Sequence, residues 1–490
     1  MGMAISRGAT GRGAAGRGAI TRGATGRFAW LAVPAAAALL LWPALWNGYP
    51  IVFADTGTYL SQAIHRYAGW DRPVFYSVFM LPLHLTLTVW PVVAAQALLA
   101  VWVLWLVVRV LVPAVPWSAF VTGVGVLSAC TWLAWLVCEL MPDLFTPLLV
   151  LVLGLLGVVP ARLSLRLRCG LAVLAAFLIA SQQSSLPLAG VLVVTLLVYA
   201  RLAGTTGAGP VAAIGVRRLG PVLLVLPPVL AVLGLCTVNL AAHGRFSTAP
   251  FGNVFLLARV IYDGPGMAVL RRDCPASGWL LCPFVADFPP LSDDFLWAPD
   301  SPLQRAGGAK LVSGDADAII LAALRADPLG EVRAALRNTA EQLTRFDSGD
   351  GLEAWPAQVS PWIARDFPPH EQAAYAAARQ QLGALAVPAL LGRLHWFGGL
   401  GGLAACLLLL PVALRRRAAC AGFLLVVLVA LPVNAAITGS LSTPHDRYQA
   451  RLMWLAPFVA VVSLASLRQN GDFRPLRLPS GAVRPARPAA

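Results

Sequence analysis

Charge is scarce in this chain: of 490 residues, 12% are Asp, Glu, Lys or Arg and 58% are hydrophobic, where a water-soluble domain carries about 25% charge. So little charge excludes a soluble globular protein and predicts an integral membrane protein. Lysine is nearly missing, since 36 of the 37 cations are Arg, a composition that fits a high-GC bacterial genome. Acids are also few, 22 in all, leaving a formal net charge of +15. In a soluble chain that excess would suggest nucleic acid. No base-reading or RNA-binding motif accompanies it, and no nucleic-acid partner is expected. Nucleotide-binding signals are missing too. Gly11, Gly13 and Gly16 satisfy G-x-G-x-x-G without the preceding strand and following helix that give the spacing its meaning.

What is abundant is apolar sequence. Runs long enough to cross about 30 Å of hydrocarbon fall at 28–46, 91–111, 117–137, 144–160, 169–184, 185–202, 219–241, 393–414, 418–437 and 452–468, ten in all. With a cytoplasmic N-terminus, the inner segments collect twenty of the 37 cations and one of the 22 acids, Asp472. That is positive-inside bias, and it predicts a multi-pass protein of the bacterial inner membrane with both termini in the cytoplasm. Residues 1–27, an Arg-Gly-Ala repeat of period five, read as a disordered cationic tail on anionic lipid, and 469–490 as a second cytoplasmic tail. The run at 28–46 is too long, and too closely followed by further runs, for a cleaved signal. The stretch 73–90 is apolar but broken by Pro82 and His84. Counting it as a span would reverse every later loop and expose Arg162 to Arg168 on the wrong side, so it reads as a re-entrant or interfacial helix.

The expected fold is an all-α polytopic membrane protein of about ten transmembrane helices. Its core covers 28–241, with a first outer loop at 47–90; 242–392 forms an extracytoplasmic, mainly helical domain, and 393–468 supplies the C-terminal helices. The outer domain holds 16 of the 22 acids; its first half is rich in Pro, Gly and aromatics, its second in Ala at helical spacing. Six of the eight cysteines lie in or beside spans, where a thiol is a small apolar group. Cys274 and Cys282, eight apart in the outer domain, are either a local disulfide or two free thiols. No second Cys/His pair stands at ligand spacing, so no metal site is expected from them.

Acids within or beside spans cost about 2.5 to 3.5 kcal/mol each on insertion scales, so the four in the first two outer loops invite a functional reading: Asp55, Asp71, Glu139 and Asp143. In the bland reading Asp55 caps a short helix through Thr56 to Leu60 and Asp71 pairs with Arg72. In the sharper one Asp55 and Asp143 face one cavity and divide roles, one taking a proton from an attacking hydroxyl while the other orients an acceptor or a cation. Arg72 precedes Pro73 and Tyr76, and the last outer loop runs from Ser442 through His445, Asp446, Arg447 and Tyr448 to Arg451. Arginine forks suit phosphate oxygens, and at a bilayer surface those phosphates belong to lipids. Against this stand snorkelling or a pair with Asp446 for Arg447 and Arg451. Tyr59, Arg72, Tyr76, Glu139, His445, Arg447, Tyr448 and Arg451 make up the candidate substrate- and phosphate-binding set. His65 and His84 read as structural histidines, and Trp70, Trp90 and Trp117 as interfacial rings, with sugar stacking the minority reading.

The order Asp55-Thr-Gly-Thr-Tyr59, Arg72-Pro-Val-Phe-Tyr76 and Met141-Pro-Asp143-Leu-Phe resembles the GT-C superfamily of membrane glycosyltransferases, which take sugars from polyprenyl-phosphate carriers. The resemblance covers about 28–240 and, more loosely, Arg447-Tyr448. It implies direct displacement at the anomeric carbon, with Asp55 as general base, Arg72 and Arg447 or Arg451 stabilising the departing phosphate, and Asp143 positioning acceptor or ion. The implied partners are membrane lipid, a polyprenyl-phosphate-sugar donor and a glycan, lipid or protein acceptor, with a divalent cation as an optional cofactor. Two features depart from the family: the usual first-loop acid pair is a lone Asp followed by Thr56, and the large outer domain precedes the last three spans.

Other classes make different demands. A transporter or flippase would place polar groups in mid-span and show inverted repeats; Gln96, Asn239 and Asn434 are the main interruptions and no internal repeat is visible. A non-catalytic envelope scaffold would be indifferent to loss of Asp55.

Overall fold

The computed structural model describes residues 29–203 and 210–469, and those residues are built from helices. The tails expected at 1–27 and beyond 469, and the side chains of Arg217 and Arg218, lie outside the described residues. The N-terminal half comprises α1 (Ala29–Ala38), α2 (Trp42–Asn47), α3 (Thr56–His65), α4 (Phe75–His84), α5 (Trp90–Leu111), α6 (Trp117–Cys130), α7 (Leu133–Cys138), α8 (Phe145–Val158), α9 (Leu165–Ser181), α10 (Ser185–Ala203) and α11 (Pro210–His243). The insertion follows with α12 (Gly252–Asp263), α13 (Gly266–Asp273), α14 (Ser292–Trp297), α15 (Pro302–Arg305), α16 (Ala309–Ala326), α17 (Pro328–Thr344), α18 (Pro356–Asp366) and α19 (Pro369–Ala377). The chain ends in α20 (Ala389–Arg415), α21 (Cys420–Leu441), α22 (Asp446–Met453) and α23 (Leu455–Gln469).

Among the described residues six segments are long and apolar enough to cross a membrane: Trp90–Leu111, Ser185–Leu202, Leu219–His243, Ala389–Arg415, Cys420–Leu441 and Asp446–Gln469. This is the pattern of a multi-pass membrane protein. The other apolar runs fold as shorter pieces, each for a local reason. The run at 28–46 breaks between α1 and α2, where Pro43 in the first turn of α2 has no N–H and a ring that blocks α-helical continuation through the preceding turn. The run at 117–137 breaks at Thr131, whose backbone is extended and whose hydroxyl donates to the Leu127 carbonyl of the last turn. In the stretch 73–90, α4 has ten residues, about 15 Å of helix, too short to cross. It ends where Leu85 and Thr86 take positive φ of 47° and 56°.

The insertion does not pack as one body. Its first half makes its own core from Val254, Leu257, Ile261, Phe295, Val312 and Ile319. The apolar face of α12 is consumed there, although α12 and α13, bent by 90°, together pass the composition test for a span. Cys274 and Cys282 are disulfide-bonded beside this core. In the second half, Leu352, Val359, Ile363, Phe367 and Tyr375 join the same core as the long apolar helices. Gln380 clamps the loop between α2 and α3, donating to the Val52 carbonyl at 2.7 Å and accepting from its N–H at 3.0 Å. Buried Glu371 accepts from the Tyr49 hydroxyl at 2.9 Å and from the Val89 N–H at 3.0 Å.

Candidate functional site

The first two loops, before α3 and before α8, are pinned side by side. The Ile51 N–H donates to the Cys138 carbonyl and the Leu140 N–H to the Ile51 carbonyl, both at 2.9 Å. Gln96 of α5 donates from one nitrogen to the Val137 and Glu139 carbonyls at 2.8 Å, and the Thr56 hydroxyl donates to the Leu140 carbonyl at 3.2 Å. The polar interruption at Gln96 is therefore what holds the second loop against the first. This pairing brings Asp55, at the start of α3, to the same end of the bundle as Asp143, in the turn before α8.

Asp55 stands at the N-cap position of α3 but makes no capping bond. Its carboxylate instead accepts from Arg72 at 2.7 Å, with both side chains mostly buried. Burial alone would raise the Asp55 pKa. The charge and hydrogen bond of Arg72, helped by Arg447, outweigh it and hold the carboxyl below its usual range. The expected Asp71–Arg72 ion pair is not formed within 4.0 Å: the Arg72 guanidinium donates to the Asp71 backbone carbonyl at 3.1 Å and acts on the Asp71 carboxyl through its charge. Burial and the Asp55 charge, opposed by Arg72, raise the Asp71 carboxyl. The Arg72 guanidinium lies 5.3 Å from the centroid of Trp297 and 5.9 Å from that of Phe255, both in the insertion.

Asp143 accepts from Arg451 at 2.9 Å, with the Arg451 side chain 0% exposed. Arg451 also donates to the Ser184 hydroxyl and the Asn434 carbonyl oxygen, each at 3.0 Å, so Asn434 within α21 is a ligand of the buried guanidinium. The expected alternative partner, Asp446, instead accepts from the Asp347 N–H at 3.0 Å.

Arg447 is different. Its backbone N–H donates to Asp350 at 3.0 Å, and its guanidinium sits 4.0 Å from the Phe53 ring and 5.0 Å from Tyr448. It exerts its charge on Asp55, Asp143 and Glu139, yet among the described residues it forms no ion pair within 4.0 Å. Glu139 is buried. Burial first, then the charges of Asp143 and Asp350, push its carboxyl well above the ordinary value against the pull of Arg447. His445 lies 3.7 Å from Asp293 of the insertion; burial and the Arg447 charge lower its imidazole pKa.

Two tyrosines lie deeper. Tyr59 is buried against Tyr76, ring centroids 5.0 Å apart. The hydroxyl of Tyr76, one of the expected phosphate-binding groups, donates to Gln96 at 2.7 Å in a fully buried setting and braces α4 against α5. His84 accepts the Thr86 N–H, and His65 contacts Asp366 at 3.1 Å; both serve local structure. Trp70, expected at a membrane interface, instead packs against the insertion's core. Asp350, Phe53, Phe255, Trp297 and Ser184 complete the surroundings without having been expected there. Among the described residues no three His, Cys, Asp or Glu side chains are grouped to share a metal ion. A cleft of about 440 Å³, lined by Ser348, Gly349, Leu352, Glu353 and Val387 among others, lies beside the loop that carries Asp350 and contains none of the site's arginines.

Comparison with protein families, curated proteins and solved structures finds no match to this chain.

Proposed function

We propose that this chain is a glycosyltransferase of the bacterial inner membrane, moving a sugar from a polyprenyl-phosphate carrier to an acceptor of the cell envelope on the outer face. The observation that carries the reading is Arg447: a half-buried guanidinium with no ion pair among the described residues, acting on Asp55 and Asp143, each already matched by its own arginine. Such a group is a ready partner for one phosphate. In this reading the six long helices and the shorter apolar pieces α1–α2, α6–α7, α8 and α9 make up the ten spans, with both termini in the cytoplasm.

The reaction is a direct displacement. The acceptor oxygen bonds to the anomeric carbon, the bond from that carbon to the phosphate oxygen breaks, and the electron pair leaves with the polyprenyl phosphate. Asp55 stays ionised at neutral pH and takes the hydroxyl proton as the new bond forms. Arg447 receives the departing phosphate. Asp143 acts through Arg451, which ties α22 to α10 and α21 and so fixes where Arg447 stands.

A non-catalytic scaffold is the second reading, favoured by the fact that both carboxylates are already ion-paired. Asp55→Asn separates the two. With wild-type membrane insertion, the variant is expected to lose surface-glycan modification by about 100-fold or more, the scale of a lost general base; unchanged glycans would end the catalytic reading.

A further inference from the structure

The insertion reaches the site through α14. At one end of this helix Ser292 shares a hydrogen bond with Thr443 at 2.9 Å and Asp293 lies 3.7 Å from His445. At its other end Trp297 flanks Arg72, its ring centroid 5.3 Å from the guanidinium carbon. One short helix thus touches both arginine-bearing loops. Behind Trp297 the rings of Trp70 and Phe255 each lie 5.9 Å away, and these two stack on one another at 5.8 Å. Trp297 nevertheless remains 40% exposed. A large indole left partly in water, braced by two further rings and standing next to an Arg–carboxylate pair, is a flat apolar surface with hydrogen-bonding groups at its edge.

That combination selects a ligand class. A sugar ring offers an apolar C–H face for the indole and hydroxyls that donate to Asp55 and accept from Arg72. A cationic ligand would meet the charge of Arg72, and an acyl chain would strip water from the Asp55–Arg72 pair without offering it a hydrogen bond. Arg447 and the buried Arg451 belong to the last segment long and apolar enough to cross a membrane, Asp446–Gln469, which leaves the insertion's side of Asp55 for the incoming molecule.

We propose that Trp297, supported by Trp70 and Phe255, is the platform on which a carbohydrate acceptor lies, so that the acceptor of this enzyme is itself a glycan. The proposal rests on the glycosyltransferase reading for the word acceptor, but the binding it asserts is measured without transfer. The full chain in lipid nanodiscs is examined by saturation-transfer NMR against methyl glycosides of glucose, galactose, mannose and N-acetylglucosamine. At least one is expected to bind. Trp297→Leu, which keeps an apolar side chain at the position but removes the flat ring, should weaken it about tenfold, and Trp297→Phe less. Binding weakened in Trp297→Leu supports the platform whatever becomes of the transferase reading, which the surface-glycan assay of Asp55→Asn tests separately. Failure of all four glycosides to bind the wild type, or equal binding to Trp297→Leu, overturns it.

Discussion

Glu139 is a buried carboxyl that the fold keeps near other acids, and its protonation is a measurable consequence. An exposed glutamate ionises near pH 4.3, whereas burial, Asp143 and Asp350 push Glu139 well above that. Between those two values the native state holds a proton that the unfolded chain has released, so stability falls as pH rises through the window and stays reduced above it. Glu139→Gln removes the ionisation. Its melting temperature in nanodiscs is expected to match the wild type near pH 4 and to exceed it at pH 8. A variant less stable than wild type at pH 8 would mean that Glu139 is ionised and held by Arg447. Rarity makes Asp55, Glu139, Asp143 and the arginines Arg72, Arg447 and Arg451 visible in the sequence, because a charge beside a span costs energy and few are kept. Their partners are not visible: Asp143 and Arg451 are 308 positions apart, and Trp297 and Phe255 are camouflaged in a chain that is 58% hydrophobic.

Among the elements, α3 is the one whose placement sets the site, since Asp55 immediately precedes it. It is positioned by α18 at Gly57, where an added Cβ would overlap the Gln358 carbonyl oxygen and come within 2.8 Å of Trp362 Cδ1. Backbone cannot yield as a flexible side-chain tip can, so Gly57→Ala must push α3 from α18. The expected cost is about 1–3 kcal/mol, the range for overpacking, with a loss of sugar transfer beyond what the fraction of folded protein explains. Thermal unfolding and transfer assays on the same preparation check this; wild-type values for both would show that the helices separate without moving Asp55. Sequence reading locates α3 and the helical second half of the insertion, but not this contact. A break such as that before Pro43 carries its own signal, whereas the break at Thr131 turns on one side chain capturing a carbonyl, for which the apolar run gives no notice. The helical pattern near Glu371 likewise reads as part of a separate domain, because periodicity reports which face is apolar and not which partner covers it.

For the whole molecule, the distribution of charge and the state of the cysteines make one joint statement about orientation. Arginines gather at one end of the apolar runs, and 16 of the 22 acids lie in the insertion at the other. Positive loops resist translocation and set which way a polytopic chain is threaded, so the insertion is expected outside. The Cys274–Cys282 disulfide lies within that insertion, and disulfides persist in the oxidising space beyond the inner membrane and rarely in the cytoplasm. The two arguments are independent, one resting on insertion energetics and the other on redox chemistry, yet they choose the same side. Alkaline phosphatase fused after Asp300 is therefore expected to be active, and fused after Arg166 or Arg416 to be inactive. In intact spheroplasts, a membrane-impermeant maleimide should label Cys274 and Cys282 only after an impermeant reductant has been added. Active fusions at the arginine-rich loops would reverse the chain and place Asp55, Arg72 and Arg447 in the cytoplasm, on the side where nucleotide sugars are the available donors, and the lipid-carried donor would have to be given up.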